Sequence, residues 1–530
     1  MRTDYDAIIV GGGPSGATAA ALLAQAGWRV AVVEKAQFPR RKVCGEFISE
    51  TTWPLLRQLG VAGPLMKIAG PRVRRVGVYA GTAMVTAELA STAGRAESGG
   101  RAVGREHLDT LLLRRAAAAG AEVWQPCALS AFVEYDGGYE CNIVDKGTRQ
   151  SQALHSRLII AAHGSWESGA MPTQDLRRRP RASDLFGFKA HFHKSALPLD
   201  LMPLLAFPGG YGGMVHTDGG RVSLSCCIRR DRLEQCRQQW PHAKAGEAVL
   251  AHIVSSCKGV ALALSSATLD GAWLSSGPLR TGIRTFGRDG IFAVGNAAAE
   301  AHPIVAEGIS IAIQSATLLC GQLIARPELR SDLPRSGQTL EGIRHDYATA
   351  WHSNFSRRLY MAAVFAHLFM RPVSTRIATR LLERFPQLLT EGARWSGKAE
   401  PLRIRAPVRR GTVVSSDAGH PHAHLAPDSN QAIRGKSWMT TLQSVQAILK
   451  ANFDLAPEVL QPEANLEDLA IDSLALTELM FAVEDEFKIT VPSEPVALQS
   501  QMKTVGDLVA FVDKLIDEQC PAKAGREAAS

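Results

Sequence analysis

Hydrophobic and polar positions near the start of the chain predict a strand, a glycine-rich turn, a helix and a second strand. Residues 7 to 35 read AIIVGGGPSGATAAALLAQAGWRVAVVEK, where two short apolar runs flank a helix of small residues that ends at Gly27. Strand, turn and helix in this order are typical of a parallel sheet whose turn holds a dinucleotide. We therefore predict an α/β fold that begins with a Rossmann-like domain.

The pattern changes to alternation in the middle of the chain. Residues 183 to 230 alternate apolar and polar positions around glycine-rich turns, which predicts antiparallel strands. Further on, residues 355 to 371 (FSRRLYMAAVFAHLFMR) hold an apolar stretch bracketed by arginines. This stretch predicts a buried helix packed on the first domain, and contact with a membrane surface or a lipid tail is the alternative.

Helical periodicity near the C-terminus predicts a small α-helical bundle. An amphipathic segment runs from Trp438 to Phe453, a second helix begins at Ser473, and Thr504 to Asp507 resemble a capping box that begins a third. The expected core residues of this region are Leu474, Met480, Phe481 and Phe487. Glu478 and Asp485 are expected to share an exposed face of the second helix.

A change of composition divides the chain into modules. Residues 401–436 lack apolar periodicity and are rich in Pro, Gly, Ser, Asp and Arg, which predicts a linker between domains at 1–400 and 437–520. Residues 521–530 form a short tail. The linker histidines are of a type that binds metal ions, but nothing positions them, so we expect solvated side chains and no metal site. They are His420, His422 and His424.

Charge is divided between the two domains. Residues 1–436 hold 53 Lys and Arg against 35 Asp and Glu, giving +18, whereas residues 437–520 hold 4 Lys against 15 Asp and Glu, giving −11. The acidic module is the obvious counterpart of the basic domain, so a nucleic-acid partner is not indicated. We expect the two modules to associate through a weak, salt-sensitive contact.

Cysteine usage and hydropathy predict a soluble cytoplasmic protein. The 9 cysteines show neither CxxC spacing nor a Cys/His cluster, so neither a disulfide framework nor structural zinc is indicated. No apolar run reaches the ~18 residues of a transmembrane helix, and the first residues show no charged and apolar leader. We therefore expect no transmembrane segment.

Each residue type in the first turn has a task in holding a dinucleotide. Gly11 permits the tight turn, Gly13 lets the backbone approach a pyrophosphate, and Gly16 lets helix and strand pack closely. Glu34 follows the second strand, where its carboxylate can accept hydrogen bonds from ribose hydroxyls. An ordinary glycine turn is the alternative, but it explains neither the second strand nor the acid.

Four stretches within residues 1 to about 400 resemble the flavin-dependent monooxygenase, halogenase and geranylgeranyl reductase superfamily. They are GGGPSG at 11–16, FPRRKVCGEFIS at 38–49, GREHLDTLLLRRAAAAGAEV at 104–123 and GIFAVGNAAAEAHPIVAEGISIAIQSA at 290–316. The resemblance implies FAD as the cofactor and NAD(P)H as a candidate reductant. It also implies an antiparallel sheet, at about residues 183–280, that covers the substrate.

The resemblance assigns further residues to the cofactor. Arg105 would lie along the FAD, and Gly295 and Asn296 would meet its ribityl chain. Four residues would line the isoalloxazine: Pro303, Glu307, Gly308 and Ile309. The chain departs from the family pattern at Asn296, where Asp is usual, and at His163, where an Asp-Gly pair is usual. Asn296 keeps an acceptor oxygen for FAD, whereas His163 lies in the segment that the resemblance ties to docking of a nicotinamide cofactor.

Three reactions compete within this superfamily. A halogenase would be expected to show a WxWxIP-like motif, and no two of the 9 tryptophans are spaced two apart. KVCGE, with Cys44 near the flavin, suggests a reductase or dehydrogenase, although Cys44 as a buried small residue is the alternative. Only the general resemblance to the superfamily supports a monooxygenase. His302 and Glu307 are candidate proton-transfer groups, and a structural role is the alternative for His302.

The segment LAIDSLALTELMFAVEDEF at 469–487 closely resembles an acyl or peptidyl carrier protein. In that family the serine of an Asp-Ser-Leu triplet is esterified by 4′-phosphopantetheine, which implies that Ser473 is an attachment point without a catalytic role. A plain helix N-cap is the alternative for this serine. The resemblance covers residues 437 to about 520. It implies a phosphopantetheinyl transferase and an acyl-loading enzyme or polyketide synthase as partners.

Together these features predict an FAD-dependent oxidoreductase fused to a carrier protein in specialised metabolism. The expected substrate is an acyl or polyketide-like group held as a thioester, and the expected reaction is monooxygenation, dehydrogenation or reduction. One alternative is a flavin-dependent halogenase of a carrier-bound substrate. The other is a carrier whose flavin fold serves only as a docking scaffold.

Overall fold

The computed structural model describes residues 4–89, 100–135, 137–164, 169–171, 174, 181–330, 337–398, 402–403, 441–453, 457–466, 468–469, 479, 483, 486–487 and 504–519. The chain is divided into two compact units, Met1–Arg405 and Ala406–Ser530. Several predicted positions lie outside the described residues: Ser473, Leu474, Glu478, Met480, Phe481, Asp485 and the three linker histidines.

Strands make up much of the first unit. In chain order they are β1 (Tyr5–Val10), β2 (Val30–Val33), β3 (Phe47–Ile48), β4 (Arg75–Ala80), β5 (Ala83–Glu88), β6 (Arg101–Ala102), β7 (Glu122–Trp124), β8 (Cys127–Tyr135), β9 (Gly138–Asp145), β10 (Ser151–Ala161), β11 (Leu185–His193), β12 (Leu201–Phe207), β13 (Gly210–His216), β14 (Val222–Arg229), β15 (Thr268–Leu279), β16 (Gly282–Ile283), β17 (Gly287–Arg288), β18 (Ile291–Ala293) and β19 (Ala299–Glu300).

Helices cover the strands and connect them. Those of the first unit are α1 (Pro14–Gln25), α2 (Trp53–Gln58), α3 (Ala62–Ile68), α4 (Arg105–Ala118), α5 (Arg230–Gln239), α6 (Ala245–Ser256), α7 (Lys258–Ala263), α8 (Gly308–Ile324), α9 (Gly337–Met370), α10 (Pro372–Arg384) and α11 (Gln387–Ala393). In the described part of the second unit they are α12 (Thr441–Phe453) and α13 (Val505–Gln519).

β1 lies at the centre of a largely parallel sheet in the order β17-β18-β10-β1-β2-β7, which β9 and β8 extend. It pairs in parallel with both β10 and β2. All four residues of β2 are buried, as expected of a strand that is covered on both faces. α1 begins at Pro14, a residue that suits the first turn of a helix, and Gly27 follows its end at a positive φ of 80°. The predicted strand, turn, helix and strand are confirmed.

A second sheet has the order β15-β11-β14-β13-β12-β4-β5 and is antiparallel except where β12 pairs with β4. The strands predicted within residues 183–230 are confirmed as β11 to β14. β4 and β5 come from residues 75–88, outside the expected range of about 183–280. Their pairing joins strands that are far apart in the sequence, so local alternation could not reveal it.

The second half of α9 contains most of the apolar segment 355–371. Leu359, Ala362, Ala366 and Phe369 are buried, and their spacing of three or four residues places them on one face. The last three pack in one cluster with residues of the second sheet such as Tyr211. The predicted buried helix is confirmed. Within the described ranges, no helix combines the length and the apolar character needed to cross a membrane.

The second unit has a hydrophobic core of its own. Its buried members are Val445, Ile448, Leu449, Leu460, Leu466, Leu479, Val483, Val505, Leu508, Val512 and Leu515, with Phe487 packed against them. The backbone N–H of Thr504 donates to Oδ2 of Asp507 at 2.9 Å, and the backbone N–H of Asp507 donates to Oγ1 of Thr504 at 3.1 Å. This reciprocal pair confirms the predicted capping box at the start of α13.

Candidate active site

A cavity of about 780 Å³ passes through the first unit. Three parts of the fold form its walls. The first is the glycine turn after β1 with the loop 40–47, the second is the face of the second sheet around β12 to β14, and the third consists of α9, α10 and α11. The cavity therefore joins the predicted nucleotide turn to a chamber under the helices that follow α8.

Glycine is needed at the positions of the first turn for different reasons. A Cβ at Gly16 would lie 1.8 Å from the carbonyl oxygen of Gly11, and Gly11 itself has a positive φ of 110°. The packing of the chain therefore requires glycine at both positions. At Gly13 an added Cβ would meet only the Arg105 guanidinium, at 3.9 Å, and at Gly308 it would meet nothing within 4 Å. Both Gly13 and Gly308 line the cavity, so close approach of a ligand is the constraint that accounts for them.

Glu34 is buried at the end of β2 and lines the cavity. Its Oε2 accepts a hydrogen bond from the backbone N–H of Gly12 at 2.7 Å, and its Oε1 accepts one from Ala36 at 2.8 Å. Each carboxylate oxygen has a second lone pair, so the two backbone donors orient the carboxylate without using all of its acceptor capacity.

Arg105 begins α4 and is buried. Asp109, one turn along the helix, holds the guanidinium with two hydrogen bonds of 2.7 Å. Burial alone would lower the pKa of Arg105, but the Asp109 carboxylate outweighs it, and the pKa is raised. Arg40 also reaches Asp109, at 3.1 Å. Two guanidinium groups therefore share one carboxylate beside the glycine turn, which leaves a net positive charge at this wall of the cavity.

Cys44 lines the cavity near Arg105, and its thiol is a minor cause of the raised pKa of Arg105, after the Asp109 carboxylate. The backbone N–H of Glu46 also donates to Sγ of Cys44, at 3.4 Å. Glu46 has a positive φ of 65°, which is uncommon for a residue other than glycine. Cys44 thus lies on a tightly turned loop at the cavity wall.

Glu46 anchors that loop through a buried ion cluster that the sequence did not indicate. Its carboxylate pairs with Nζ of Lys189 and lies 2.8 Å from Nε2 of His191. All three side chains are at most 2 % exposed. Burial alone would raise the pKa of Glu46, but His191 and Lys189 outweigh it and hold the pKa at about 2. The only local signal was the spacing of Lys189 and His191, which places both on one face of β11.

His302 lines the cavity and lies between two hydroxyl groups. Its Nδ1 is 3.2 Å from the Tyr211 hydroxyl, and its Nε2 is 3.1 Å from Oγ1 of Thr281. Burial, with a smaller effect of His367, lowers the pKa of His302 to about 3. Burial likewise raises the pKa of Tyr211 well above its ordinary value. At neutral pH both side chains are therefore uncharged, and the imidazole can donate one proton and accept another.

The remaining predicted site residues fall around α8. Asn296, Pro303, Gly308 and Ile309 line the cavity. The Asn296 amide donates to Oε1 of Glu300 at 3.2 Å. Gly295 has a positive φ of 59°, and a Cβ there would lie 2.7 Å from Oγ of Ser15, so the fold itself requires this glycine. Glu307 is fully buried at the N-cap of α8, and its backbone carbonyl accepts the N–H of Ile311 at 2.9 Å.

The chamber under α9 to α11 is apolar. The side chains that line it there include Phe365, Leu368, Phe369, Leu382, Leu389 and Trp395. Such a chamber suits the apolar part of a substrate, and Glu391 and Ser396 also contribute to its lining.

A family model described as an FAD binding domain matches residues 4–329. The chain belongs to that family. A second model, described as a phosphopantetheine attachment site, matches residues 443–512. The predicted FAD-dependent enzyme and the predicted carrier module are both confirmed, with FAD and phosphopantetheine as their respective groups.

Curated relatives cover either one part of the chain or most of the flavin unit. The chain is 24% identical over 378 residues to a 1H-pyrrole-2-carbonyl-[peptidyl-carrier protein] chlorinase of Pseudomonas fluorescens, covering 66% of this chain and 82% of that protein. It is 36% identical over 76 residues to the acyl carrier protein of Helicobacter hepaticus, covering 14% of this chain and 96% of that protein. A match of 47% over 62 residues to the menaquinone reductase of Mycolicibacterium smegmatis covers 12% of this chain and only 15% of that protein.

Solved structures share the fold of the flavin unit. The myxobacterial chondrochloren halogenase superposes with a TM-score of 0.58 at 21% identity, covering 74% of this chain and 91% of that structure. A geranylgeranyl bacteriochlorophyll reductase-like protein from Thermoplasma acidophilum gives 0.54 at 17% identity, covering 74% and 99%. Proteins described as a halogenase and as reductase-like share this architecture, so the fold does not select the reaction.

The residues at the glycine turn fit FAD. Gly13 leaves room for a pyrophosphate, the Arg105 and Arg40 guanidinium groups supply positive charge beside it, and the oriented Glu34 carboxylate can accept from ribose hydroxyls. Gly308 leaves similar room at the first turn of α8. These assignments stay predictions, as do the proton-transfer roles of Cys44, His302 and Glu307.

Proposed function

We propose that this protein is an FAD-dependent oxidoreductase that acts on an acyl or polyketide-like group held as a thioester on its phosphopantetheine carrier, in specialised metabolism. The observation that carries the proposal is the continuity of the cavity. The residues that fit FAD and the apolar chamber under α9 to α11 line one continuous space. A substrate in the chamber would therefore lie next to the reactive part of the cofactor without crossing bulk water.

The chain's contribution is binding, orientation and charge. Gly11, Gly13, Glu34 and Arg105 would hold the nucleotide part of FAD, and Asn296, Gly308 and Ile309 would hold the remainder. Once bound, FAD supplies the redox chemistry. Phe369, Leu382 and their neighbours exclude water from the substrate position.

Side chains on the cavity wall are the proposed groups for proton transfer to and from the substrate. The Tyr211 hydroxyl can give a proton to the substrate position and recover one through His302, because the neutral imidazole carries both a donor and an acceptor. Cys44 offers a thiol at the opposite part of the wall, beside Arg105. Glu307 is not among the residues that line the cavity in the described part of the chain, so any effect it has on the reaction acts through α8.

Dehydrogenation, reduction and monooxygenation fit this arrangement. NAD(P)H is the proposed reductant where one is consumed, and dioxygen is the proposed source of an added oxygen atom and the acceptor that reoxidises the flavin after dehydrogenation. Halogenation is the second candidate, because one relative that matches over most of the flavin unit is named as a chlorinase of a carrier-bound pyrrole carbonyl group. Against halogenation stands the spacing of the tryptophans, none of which forms a pair two residues apart.

Intact-mass measurement on the holo protein separates these reactions. A phosphopantetheinyl transferase would load Ser473 from a panel of acyl-coenzyme A thioesters, with release of adenosine 3′,5′-bisphosphate. The loaded protein would be combined with FAD, NADH or NADPH and dioxygen, with and without chloride or bromide. A change of two hydrogens indicates dehydrogenation or reduction. A gain of one oxygen indicates monooxygenation, and replacement of hydrogen by halogen indicates halogenation.

Ser473→Ala is the control for delivery by the carrier. This variant should retain FAD and lose turnover of the tethered group. If it processes a free acid or a coenzyme A thioester as fast as the holo protein processes its own cargo, the tethered substrate is wrong. A purified protein that lacks the flavin absorbance bands and cannot be reconstituted with FAD would favour the docking-scaffold alternative.

A further inference from the structure

α10 presents an unusual face to solvent. Val373, Ile377, Leu381 and its C-cap residue Phe385 follow one another at intervals of four, and they are 69%, 65%, 50% and 50% exposed. The opposite side of the helix is covered, with Thr375, Thr379 and Leu382 buried. Large apolar side chains gathered in one exposed row are typical of a surface that binds a partner.

Three arginines accompany this apolar row. Arg376, Arg380 and Arg384 are also spaced by four, and all three are exposed. Among the described residues none of them forms an ion pair with a carboxylate. We call the four apolar residues and the three arginines together the α10 face. Its partner must bring apolar area and negative charge together.

The α10 face adjoins the mouth of the cavity. Leu381, Leu388 and Trp395 line the cavity and are also 44 to 50% exposed. They therefore lie where the apolar chamber opens to solvent. A partner that covers the α10 face would have direct access to the chamber.

We propose that the α10 face is the docking surface for the carrier module, residues 437–520, and that the phosphopantetheine arm enters the chamber beside Leu381 and Leu388. This inference rests on the proposed function. Charge selects the occupant, because the carrier module has a net charge of −11 and the arginine row has no carboxylate partner within the described ranges. A second copy of the same face would instead bring like charges together.

The length of the connecting chain permits this contact. Arg403 is fixed to α9, since its backbone N–H donates to Oδ1 of Asn354 at 2.8 Å and its carbonyl accepts from Nδ2 of Asn354 at 3.1 Å. The 16 residues from Asn354 to the end of α9, where α10 follows, measure about 24 Å at 1.5 Å per residue. Residues 404–440 can span up to roughly 120 Å at ~3.3 Å per residue. A tethered carrier would be present at a concentration on the order of millimolar, so a weak contact suffices.

A cross-linking experiment on the full-length chain tests the docking. A transferase would load Ser473 from bromoacetyl-coenzyme A, with release of adenosine 3′,5′-bisphosphate. A cysteine thiolate then displaces bromide from the bromoacetyl carbon to form a thioether. Leu388→Cys places the thiol at the cavity mouth, and Val133→Cys, 59% exposed on β8, is the matched control. Loss of one HBr in the intact mass reports the reaction, and the unsubstituted protein provides the baseline.

We expect cross-linking at Leu388→Cys to be at least about tenfold faster than at Val133→Cys. The triple change Arg376→Glu, Arg380→Glu and Arg384→Glu should slow it about tenfold, and raised salt should do the same. The matched triple change Arg57→Glu, Arg114→Glu and Arg237→Glu alters the net charge equally at other exposed positions and should leave the rate nearly unchanged. Equal rates at the two cysteines, or indifference to the first triple change, would overturn the docking surface.

Two further measurements separate the remaining outcomes. Turnover of an acyl-loaded chain without preferential cross-linking would leave the proposed function standing and remove the docking surface. Preferential cross-linking without turnover of any acyl group would leave the docking surface standing and remove the proposed function. If cross-linking shows no preference and the Ser473→Ala chain sediments with phosphatidylglycerol vesicles through the same arginines, the α10 face binds anionic membranes and the carrier proposal is wrong.

Discussion

The hydroxyl of Tyr211 lies 3.2 Å from Nδ1 of His302, and both side chains line the cavity. Replacing Tyr211 by Phe removes the hydroxyl and keeps the ring. If the pair transfers a proton, turnover of the loaded carrier should fall about 10²-fold or more, with FAD content and melting temperature nearly unchanged. Thr281 is not among the described residues that line the cavity. Thr281→Val removes the hydroxyl on the other side of the imidazole and should reduce turnover much less. Wild-type turnover in Tyr211→Phe would exclude the pair from catalysis.

Gly13→Val should abolish FAD binding while the protein still folds. A Cβ at this position would meet no protein atom closer than the Arg105 guanidinium, at 3.9 Å, and the valine methyl groups would occupy the space expected for the pyrophosphate. Gly321→Val, at an exposed position of α8 with nothing within 4 Å, is the matched control and should keep stoichiometric FAD. Flavin absorbance per protein and circular dichroism measure the two properties. A folded Gly13→Val protein with full flavin content would show that the cofactor site is misassigned.

Glu46→Gln should destabilise the flavin unit by roughly 3–5 kcal/mol, because it leaves Lys189 buried without its carboxylate. Unfolding in urea measures the change. Adding Lys189→Met removes the stranded charge, so the double variant should recover part of the loss. If the double variant is no more stable than Glu46→Gln alone, the buried ion pair is not the origin of the effect.

Acid should destabilise the flavin unit in two pH ranges that overlap, and the histidine range begins at the higher pH. Burial lowers the pKa of His302 to about 3 and that of His367 to about 4, whereas an unfolded histidine titrates near ~6.5. Between these values the unfolded chain binds more protons, so stability falls as the pH drops below about 6.5, by up to ~1.4 kcal/mol per pH unit for each histidine. The pKa of Glu46 is also lowered, to about 2, and its contribution is lost only as the pH falls below about 4.5.

Urea unfolding between pH 5 and 7 isolates the histidine range. His302→Gln should reduce the slope of stability against pH, and His242→Gln, at an exposed position, serves as the control. An unchanged slope in His302→Gln would show that this imidazole does not resist protonation in the folded protein.

Sequence analysis predicted the elements whose formation depends on residues that are close together in the sequence. The glycine turn, α1, the strands β11 to β14 and the capping box at Thr504 and Asp507 all depend on residues a few positions apart. The cluster of Glu46 with Lys189 joins residues 143 positions apart, and Tyr211 lies 91 positions from His302. Neither pair has a periodicity of its own, so only the folded sheet brings these groups together.

The exposed face of α10 escaped sequence analysis for a different reason. Its apolar row has the spacing of a helix that packs on a core, and a single sequence does not say which side of an amphipathic helix is covered. In the structure the buried side is formed by Thr375, Thr379 and Leu382, whereas the apolar row that begins at Val373 is exposed to solvent. Only the packing of α10 on the rest of the unit distinguishes these two arrangements.

The cofactor cradle also has a consequence for the timing of biosynthesis. Gly13 lies near the start of the flavin unit in the sequence and Gly308 lies much further along the chain, yet both line one cavity. At ~5–20 residues per second, roughly 15–60 s of translation separate their emergence from the ribosome. If FAD occupies the cavity as proposed, it cannot be enclosed before α8 has been synthesised. Flavin retention by a nascent chain would then report that the whole first unit, rather than its N-terminal strands alone, has assembled.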